Sequence, residues 1–394
     1  MGQLINLSVF KSFFKSSNAG GALLFIAVII SLLIANSRFA TSLQALLDVN
    51  VGWENAQIQL RYPVLLWIND GLMAIFFLLV GLEIKREIVE GELSSPKKAS
   101  LPILCAIGGA LVPALIYTAL NGKTETAGGW GIPMATDIAF ALAVIGLLGK
   151  RIPGSLKIFL AALAIVDDLI AILVIAFFYS SGIHSSYLIY AGIGLLLLIA
   201  MNRFHVLNPY LYLIPGVFIW YFIHHSGIHA TIAGVLVAMT IPTNTTAKES
   251  PLERLEHALT KPVNFVIIPL FAFANTNIAL ESSMINGLTS SLGLGIGLGL
   301  IFGKPLGILL TSYVCSKAKI STLPAGSSWT HMLGVGLLAG IGFTMSIFIA
   351  LLSFNEATFI AEAKLAILVT SLLAGTLGYI LLRTLGRTRK TLIP

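Results

Sequence analysis

The chain has 394 residues, 57% of them hydrophobic and only 10% charged, against roughly 25% charged in a soluble domain. Its mean hydropathy is +0.93, so it cannot cover a water-facing surface with polar groups, and that surface must face lipid. The net charge of +7 does not mark a nucleic-acid binder, because the cations sit in short loops between apolar runs.

Lys11 and Lys15 precede an apolar run at 20–36 that superficially resembles a secretory signal. Further apolar runs follow, so it reads as a retained first span. A span needs about 20 mostly apolar residues. Twelve are expected, near 20–36, 63–84, 99–120, 129–148, 155–179, 184–201, 208–223, 228–242, 258–276, 289–313, 331–353 and 363–383, the seventh and eighth being short. With the N-terminus in the cytoplasm, 19 of the 24 Lys and Arg residues fall on the cytoplasmic side and 4 on the far side, with Lys304 inside a span. That bias supports an even number of spans with both termini inside.

The far-side stretch 49–61 alternates apolar and polar residues at Val49–Val51 and Gln57–Arg61, around a middle containing Gly52. It reads as a β-hairpin or as an irregular loop. An exposed hairpin edge could pair with a copy of itself, giving a homodimer. Asp70, near the far-side end of the second span, is either solvated at the interface or part of an ion path.

The fourth span carries Gly128, Gly129, Gly131 and Pro133, then Thr136 and Asp137. Glycine and proline in this density predict an interrupted helix, although the glycines could instead serve close helix packing. The fifth holds Asp167 and Asp168 at mid-span. A charge there costs roughly 2.5–3.5 kcal/mol even on lenient scales, so such residues are functional by default. Neighbours on a helix point about 100° apart. One carboxylate can therefore line a cavity while the other faces a partner helix.

His229 begins the eighth span as a packing histidine or a pH sensor. The tenth span holds Lys304 within Gly303-Lys304-Pro305, and the eleventh repeats the glycine pattern at Gly334, Gly336, Gly340 and Gly342 before Thr344 and Ser346. Units 99–179 and 289–383 thus each have a candidate broken helix in the middle, and they enter the membrane from opposite sides. Paired interruptions in opposite halves point to a transporter's ion site.

A broken helix exposes N–H groups at one half-helix and C=O groups at the other. Asp137 is expected to balance the positive ends and Lys304 the negative ones, with proton carriage by Lys304 as the alternative. Hard cations take oxygen ligands, which Asp167, Asp168 and Thr136 supply. Protons and sodium would compete for these carboxylates. Cys105 and Cys315 lack metal-ligand spacing, and no cofactor is expected.

Leu66-Trp67-Ile68-Asn69-Asp70, Ala135-Thr136-Asp137-Ile138-Ala139-Phe140-Ala141, Ile165-Val166-Asp167-Asp168, Gly303-Lys304-Pro305-Leu306-Gly307 and Gly340-Ile341-Gly342-Phe343-Thr344-Met345-Ser346 resemble the NhaA-type sodium/proton antiporters. So do the segments at 81–87, 227–231, 254–257 and 269–275, in order over nearly the whole chain. These antiporters are themselves reference cases for paired interrupted helices, so pattern and resemblance form one line of argument.

The resemblance implies a single all-α domain of twelve helices with inverted repeats and two crossing interrupted helices, in the cell inner membrane. It implies electrogenic, pH-regulated export of sodium or lithium in exchange for more than one proton, and no enzyme activity. Asp167 and Asp168 match the family's ion-binding pair, Thr136 and Asp137 its helix crossing, and Lys304 its central lysine. Glu83, Arg86, Glu87, Glu256 and His257 match its pH-response region, and the far-side hairpin its dimer contact. Val166 is an aliphatic swap, and Ile170 is bulky where the family often has glycine.

Residue by residue, the acidic and basic groups at 83–87 could equally form an ordinary ion-pair network, and His257 a solvated helix end. An intramembrane aspartyl protease would need two carboxylates within hydrogen-bond reach of each other. Asp167 and Asp168 diverge on one helix and fit that poorly. Pairing Asp137 with Asp168 stays open.

Overall fold

The computed structural model describes residues 7–55, 59–180, 182–243, 249–280 and 282–388. Helices α1 (Leu7–Ala35) and α2 (Ala40–Leu47) lead into strands β1 (Asn50–Glu54) and β2 (Gln59–Pro63). α3 (Val64–Val89) contains a π-helical turn at Trp67–Leu72. α4 (Pro96–Asn121) is followed by a 3-10 turn at Ala127–Met134 and by α5 (Ile138–Leu147). Then come α6 (Gly154–Phe178), α7 (Ser185–Arg203), α8 (Tyr210–His224) and α9 (Ile232–Thr240). α10 (Pro251–Asn275) and α11 (Ser291–Lys317) each contain a π-helical turn, at Val263–Ile267 and Gly299–Gly303. α12 (Trp329–Ala339), α13 (Phe343–Ser353) and α14 (Ala357–Thr388) close the chain.

Among the described residues, eight helical segments are long and apolar enough to cross a membrane, or ten when the bent pairs α1–α2 (114°) and α12–α13 (47°) each count as one. The chain is an all-α polytopic membrane protein. The seventh and eighth expected spans correspond to α8, with 15 residues, and α9, with 9. Both fall short of the roughly 20 residues that a straight crossing requires. Lys248, Arg389 and Lys390, counted in the charge bias, lie outside the described residues.

The hairpin forms at the expected place. β1 and β2 pair antiparallel, Asn50 opposite Pro63 and Glu54 opposite Gln59. Ala56, Gln57 and Ile58 lie outside the described residues. The two interruptions also form where glycine and proline weaken the helix. The backbone leaves its 3-10 turn at Met134, is extended at Ala135, and restarts as α5 after Asp137. The second break is Gly340–Gly342, between α12 and α13.

The chain divides into two compact units. One holds the residues up to Phe25, Ser95–Ala171, and those from Leu280 on. In it α4 crosses α11 backbone to backbone, where a side chain at Gly307 would strike the Gly108 carbonyl, and α12 meets α11 where one at Gly336 would come within 2.8 Å of Pro305 Cα. Small residues allow such approach where lipid supplies no hydrophobic drive.

The other unit holds Ile26–Ser94 and Ile172–Ala279. Leu82, Leu198, Tyr212, Ile219 and Leu252 are fully buried at its core. α3 and α9 meet at Gly81 and Gly234, where a Cβ on Gly234 would strike the Ala74 carbonyl and approach Leu78 N within 2.7 Å. Backbone cannot yield as a side-chain tip can. Gly234→Ala is therefore expected to cost about 1–3 kcal/mol, as overpacking does, read as a lower melting temperature of the purified protein. An unchanged value would mean that the helices part freely.

Candidate ion site at the helix interruptions

Thr136 and Asp137 stand in the first interruption because the chain there is extended rather than helical. Asp137 caps α5, its Oδ1 accepting from Phe140 N–H at 2.9 Å. Its Oδ2 accepts from the Thr344 N–H at 3.1 Å and the Thr344 hydroxyl at 2.5 Å, in the first turn of α13. The Asp137 N–H in turn donates to Ile341 O at 2.6 Å, inside the second interruption. One carboxylate thus serves the N-termini of two half-helices, where unpaired N–H groups and the helix dipole favour negative charge.

Lys304 is completely buried. Its ammonium donates to the carbonyl of Met134, the last residue of the 3-10 turn. That carbonyl is an unpaired helix-end acceptor. The same Nζ lies 2.6 Å from Asp167 Oδ2.

Thr136 is also completely buried. Its hydroxyl lies 2.6 Å from Asp167 Oδ2 and 2.9 Å from Ala339 O. Both neighbours are acceptors, and the single hydroxyl proton serves one at a time. Asp167 Oδ1 is buried and accepts no hydrogen bond from the described residues. Asp168 follows on α6, equally buried. Asp167 Oδ2, the Thr136 hydroxyl and the Ala339 carbonyl thus gather oxygens beside one cation, Lys304, with Asp168 the next residue on α6. Hard monovalent and divalent cations prefer such oxygen sets. Among the described residues no group of three or more His, Cys, Asp or Glu is arranged to hold a resident metal.

The second unit carries two further charged clusters. Arg86 Nη1 pairs with Glu256 Oε1 at 3.1 Å and Nη2 with Glu87 Oε1 at 3.3 Å. Glu83, buried, interacts electrostatically with Glu256 and Arg86. Lys85 donates to the Met239 and Ile241 carbonyls at 2.7 and 2.6 Å, closing the C-terminus of α9. At the other end of α3, Asp70 lies between two histidines, 3.2 Å from His224 Nδ1 and 3.7 Å from His229 Nε2.

The model of the family described as Na+/H+ antiporter 1 matches residues 11–382. The chain belongs to this antiporter family. It is 62% identical over 391 residues to a protein of Flavobacterium johnsoniae named Na(+)/H(+) antiporter NhaA 2, covering 99% of this chain and 96% of that one. It is 51% identical over 376 residues to the Na(+)/H(+) antiporter NhaA of Flavobacterium psychrophilum, covering 95% and 96%. It is 47% identical over 372 residues to the Na(+)/H(+) antiporter NhaA of Shewanella frigidimarina, covering 94% of each. These are transporters, which sets the aspartyl protease reading aside.

In this family member the structure brings Thr136, Asp167 and Lys304 into one contact set and binds Asp137 to Thr344. It brings Arg86, Glu87 and Glu256 together, with Glu83 beside them. His257 lies at the edge of that group: it is exposed, its Nδ1 lies 2.7 Å from Glu249 Oε1, and it interacts electrostatically with Glu256. His229 belongs to the Asp70 cluster instead. The sequence reading did not foresee the Lys304–Asp167 contact, the Met134 and Ala339 carbonyls, or His224. For His224 a signal existed, since the span layout puts the C-terminal end of α8 and the N-terminal end of α3 on the same side of the membrane.

Proposed function

We propose that this chain exchanges sodium for protons at Asp167 and Asp168, with Thr136 as a further ligand. The observation that carries the reading is the Asp167 carboxylate. It is wholly buried, one oxygen is held by Lys304 and Thr136, and the other accepts no hydrogen bond from the described residues. A buried charge of this kind persists when it is paired or useful.

The cycle follows from competition. Burial disfavours the charged form of a carboxylate that lacks a counter-charge. Sodium binding supplies one and releases protons; reprotonation releases sodium. Sodium and the Lys304 ammonium are alternative cations for Asp167, so sodium entry releases the ammonium's proton and the neutral amine keeps its hydrogen bond to the Met134 carbonyl. Alternating access to the two sides turns this competition into antiport. Release of more than one proton per sodium makes the exchange electrogenic, and lithium, another hard cation, suits the same oxygens.

Asp137 holds the two interrupted helices together by charge compensation. The inverted repeats 99–179 and 289–383 pivot around this crossing. Both termini lie in the cytoplasm and the chain sits in the cell inner membrane, which the distribution of Lys and Arg supports. The Glu83, Arg86, Glu87 and Glu256 cluster then faces the cytoplasm as the pH-response region, with His257 at its margin and His229 acting from the far side. The β1–β2 hairpin joins two copies. Its deletion over 49–60 is expected to weaken dimers while leaving exchange by the monomer; an unchanged dimer population on size-exclusion chromatography would sink that assignment.

The test of the function is sodium-dependent proton flux. Purified protein in sealed vesicles with an acidified lumen should release protons on addition of sodium, followed with a pH dye. Absence of sodium-linked flux at every pH would overturn the proposal.

A further inference from the structure

The second unit contains a cavity of about 610 Å³ whose lining is almost wholly apolar. It runs along one face of α3, past Val64, Trp67, Ile68, Gly71, Ile75 and Leu78, with α8 and α9 forming the opposite wall. Its shape is set by absent side chains: Gly71, Gly216 and Gly234 all line it. Val51, Ile75 and Val217 on its lining are exposed, so the slot opens on the outside of the chain.

We propose that this slot holds one fatty-acyl chain of a membrane lipid. Three observations point to that occupant. The first is length. From Val64 to Leu78 the helix rises about 21 Å, close to one leaflet's roughly 15 Å of hydrocarbon plus part of the interface. The second is volume. A helix of that length and 10–12 Å diameter occupies about 2,000 Å³, so a helix of a second copy does not enter, whereas the cavity is of small-molecule size.

The third is the aromatic group at one end. Trp220 stacks with Trp67, at 5.9 Å, and with His224, at 5.6 Å. These two contacts fix the indole plane. Its Nε1–H is buried and has no hydrogen-bond acceptor among the described residues. A buried donor without a partner costs free energy. Indoles collect at the membrane interface, where a glycerolipid carries its ester carbonyls. An acyl chain in the slot places such a carbonyl at the level of Trp220. The lipid would also brace the π-helical turn of α3, since Ile68, Gly71 and Leu72 line the slot and Asp70 lies in that turn.

The test uses the full chain in vesicles of phosphatidylethanolamine and phosphatidylglycerol. A small fraction of the phosphatidylethanolamine carries a diazirine in one acyl chain, linked by an ester or, in a second probe, by an ether. After irradiation, labelled residues are mapped by mass spectrometry. The expected result is labelling concentrated on 68–78 and 213–220, stronger for the ester probe. Gly216→Leu fills the slot, and a Cβ there meets Val237 at an ordinary 3.4 Å, so the fold should tolerate it. This variant should lose the concentrated labelling. Trp220→Phe keeps a ring in the stack and removes the donor, and should lose the preference for ester over ether. Labelling spread evenly over the exposed apolar faces of α7 and α8, or unchanged in Gly216→Leu, would overturn the proposal.

Discussion

Replacing Asp168 by asparagine is expected to reduce sodium-dependent proton exchange by about 100-fold or more. The change is nearly isosteric, so the helix and its packing persist. The chemistry does not: an amide neither gains nor loses a proton near neutral pH and offers sodium a neutral oxygen in place of a charged one. Losing a charged partner in a buried site costs about 3–5 kcal/mol, and 1.4 kcal/mol is about a factor of ten. Proton flux in vesicles measures the loss, while melting temperature and monodispersity check that the variant is folded. Normal exchange by a folded Asp168→Asn protein would remove Asp168 from the site.

Lys304→Met should lower stability more than any other single change at the site. Lys304 and Asp167 are in contact at 2.6 Å with both side chains out of water. Removing one member of such a pair leaves the other as an uncompensated buried charge, at a cost of about 3–5 kcal/mol. The Met134 carbonyl loses its donor as well. Arginine is a poor rescue because its planar fork does not fit a site shaped for a point charge. The double variant Asp167→Asn with Lys304→Met should recover part of the loss, since no unpaired charge remains. Additive losses in melting temperature would show that the contact contributes nothing of its own.

The fold class and the carboxylates of the candidate site were legible in the sequence for a simple reason. Membrane spans are long apolar runs, and a charge within one stands out. Asp137, Asp167, Asp168 and Lys304 were visible in this way, and Gly340 with Gly342 marked the second break before any coordinates. What stayed hidden depends on three-dimensional approach. Asp167 and Lys304 lie on different helices, and no local pattern announces that their side chains touch. The backbone acceptors Met134 and Ala339 carry no side-chain signal at all. The Glu249 partner of His257 was equally hidden: successive helical residues point about 100° apart, so His257 contacts Glu249 directly while acting on Glu256 electrostatically. α9, at Ile232–Thr240, is shorter than the already short 228–242 expected for it because apolar residues flank it, and hydropathy cannot tell a helix from its apolar connections.

The most direct test of the central claim, competition of sodium and protons for the same carboxylates, is sodium binding to the purified protein by calorimetry over a series of pH values. If one proton is displaced, the apparent Kd should weaken by about tenfold per pH unit as the pH falls through the range where the site protonates, and more steeply if two are displaced. Heats measured in buffers of different ionisation enthalpy should reveal the released protons, and both signals should vanish in Asp167→Asn and Asp168→Asn. Sodium binding with a pH-independent Kd and no proton release would contradict the account.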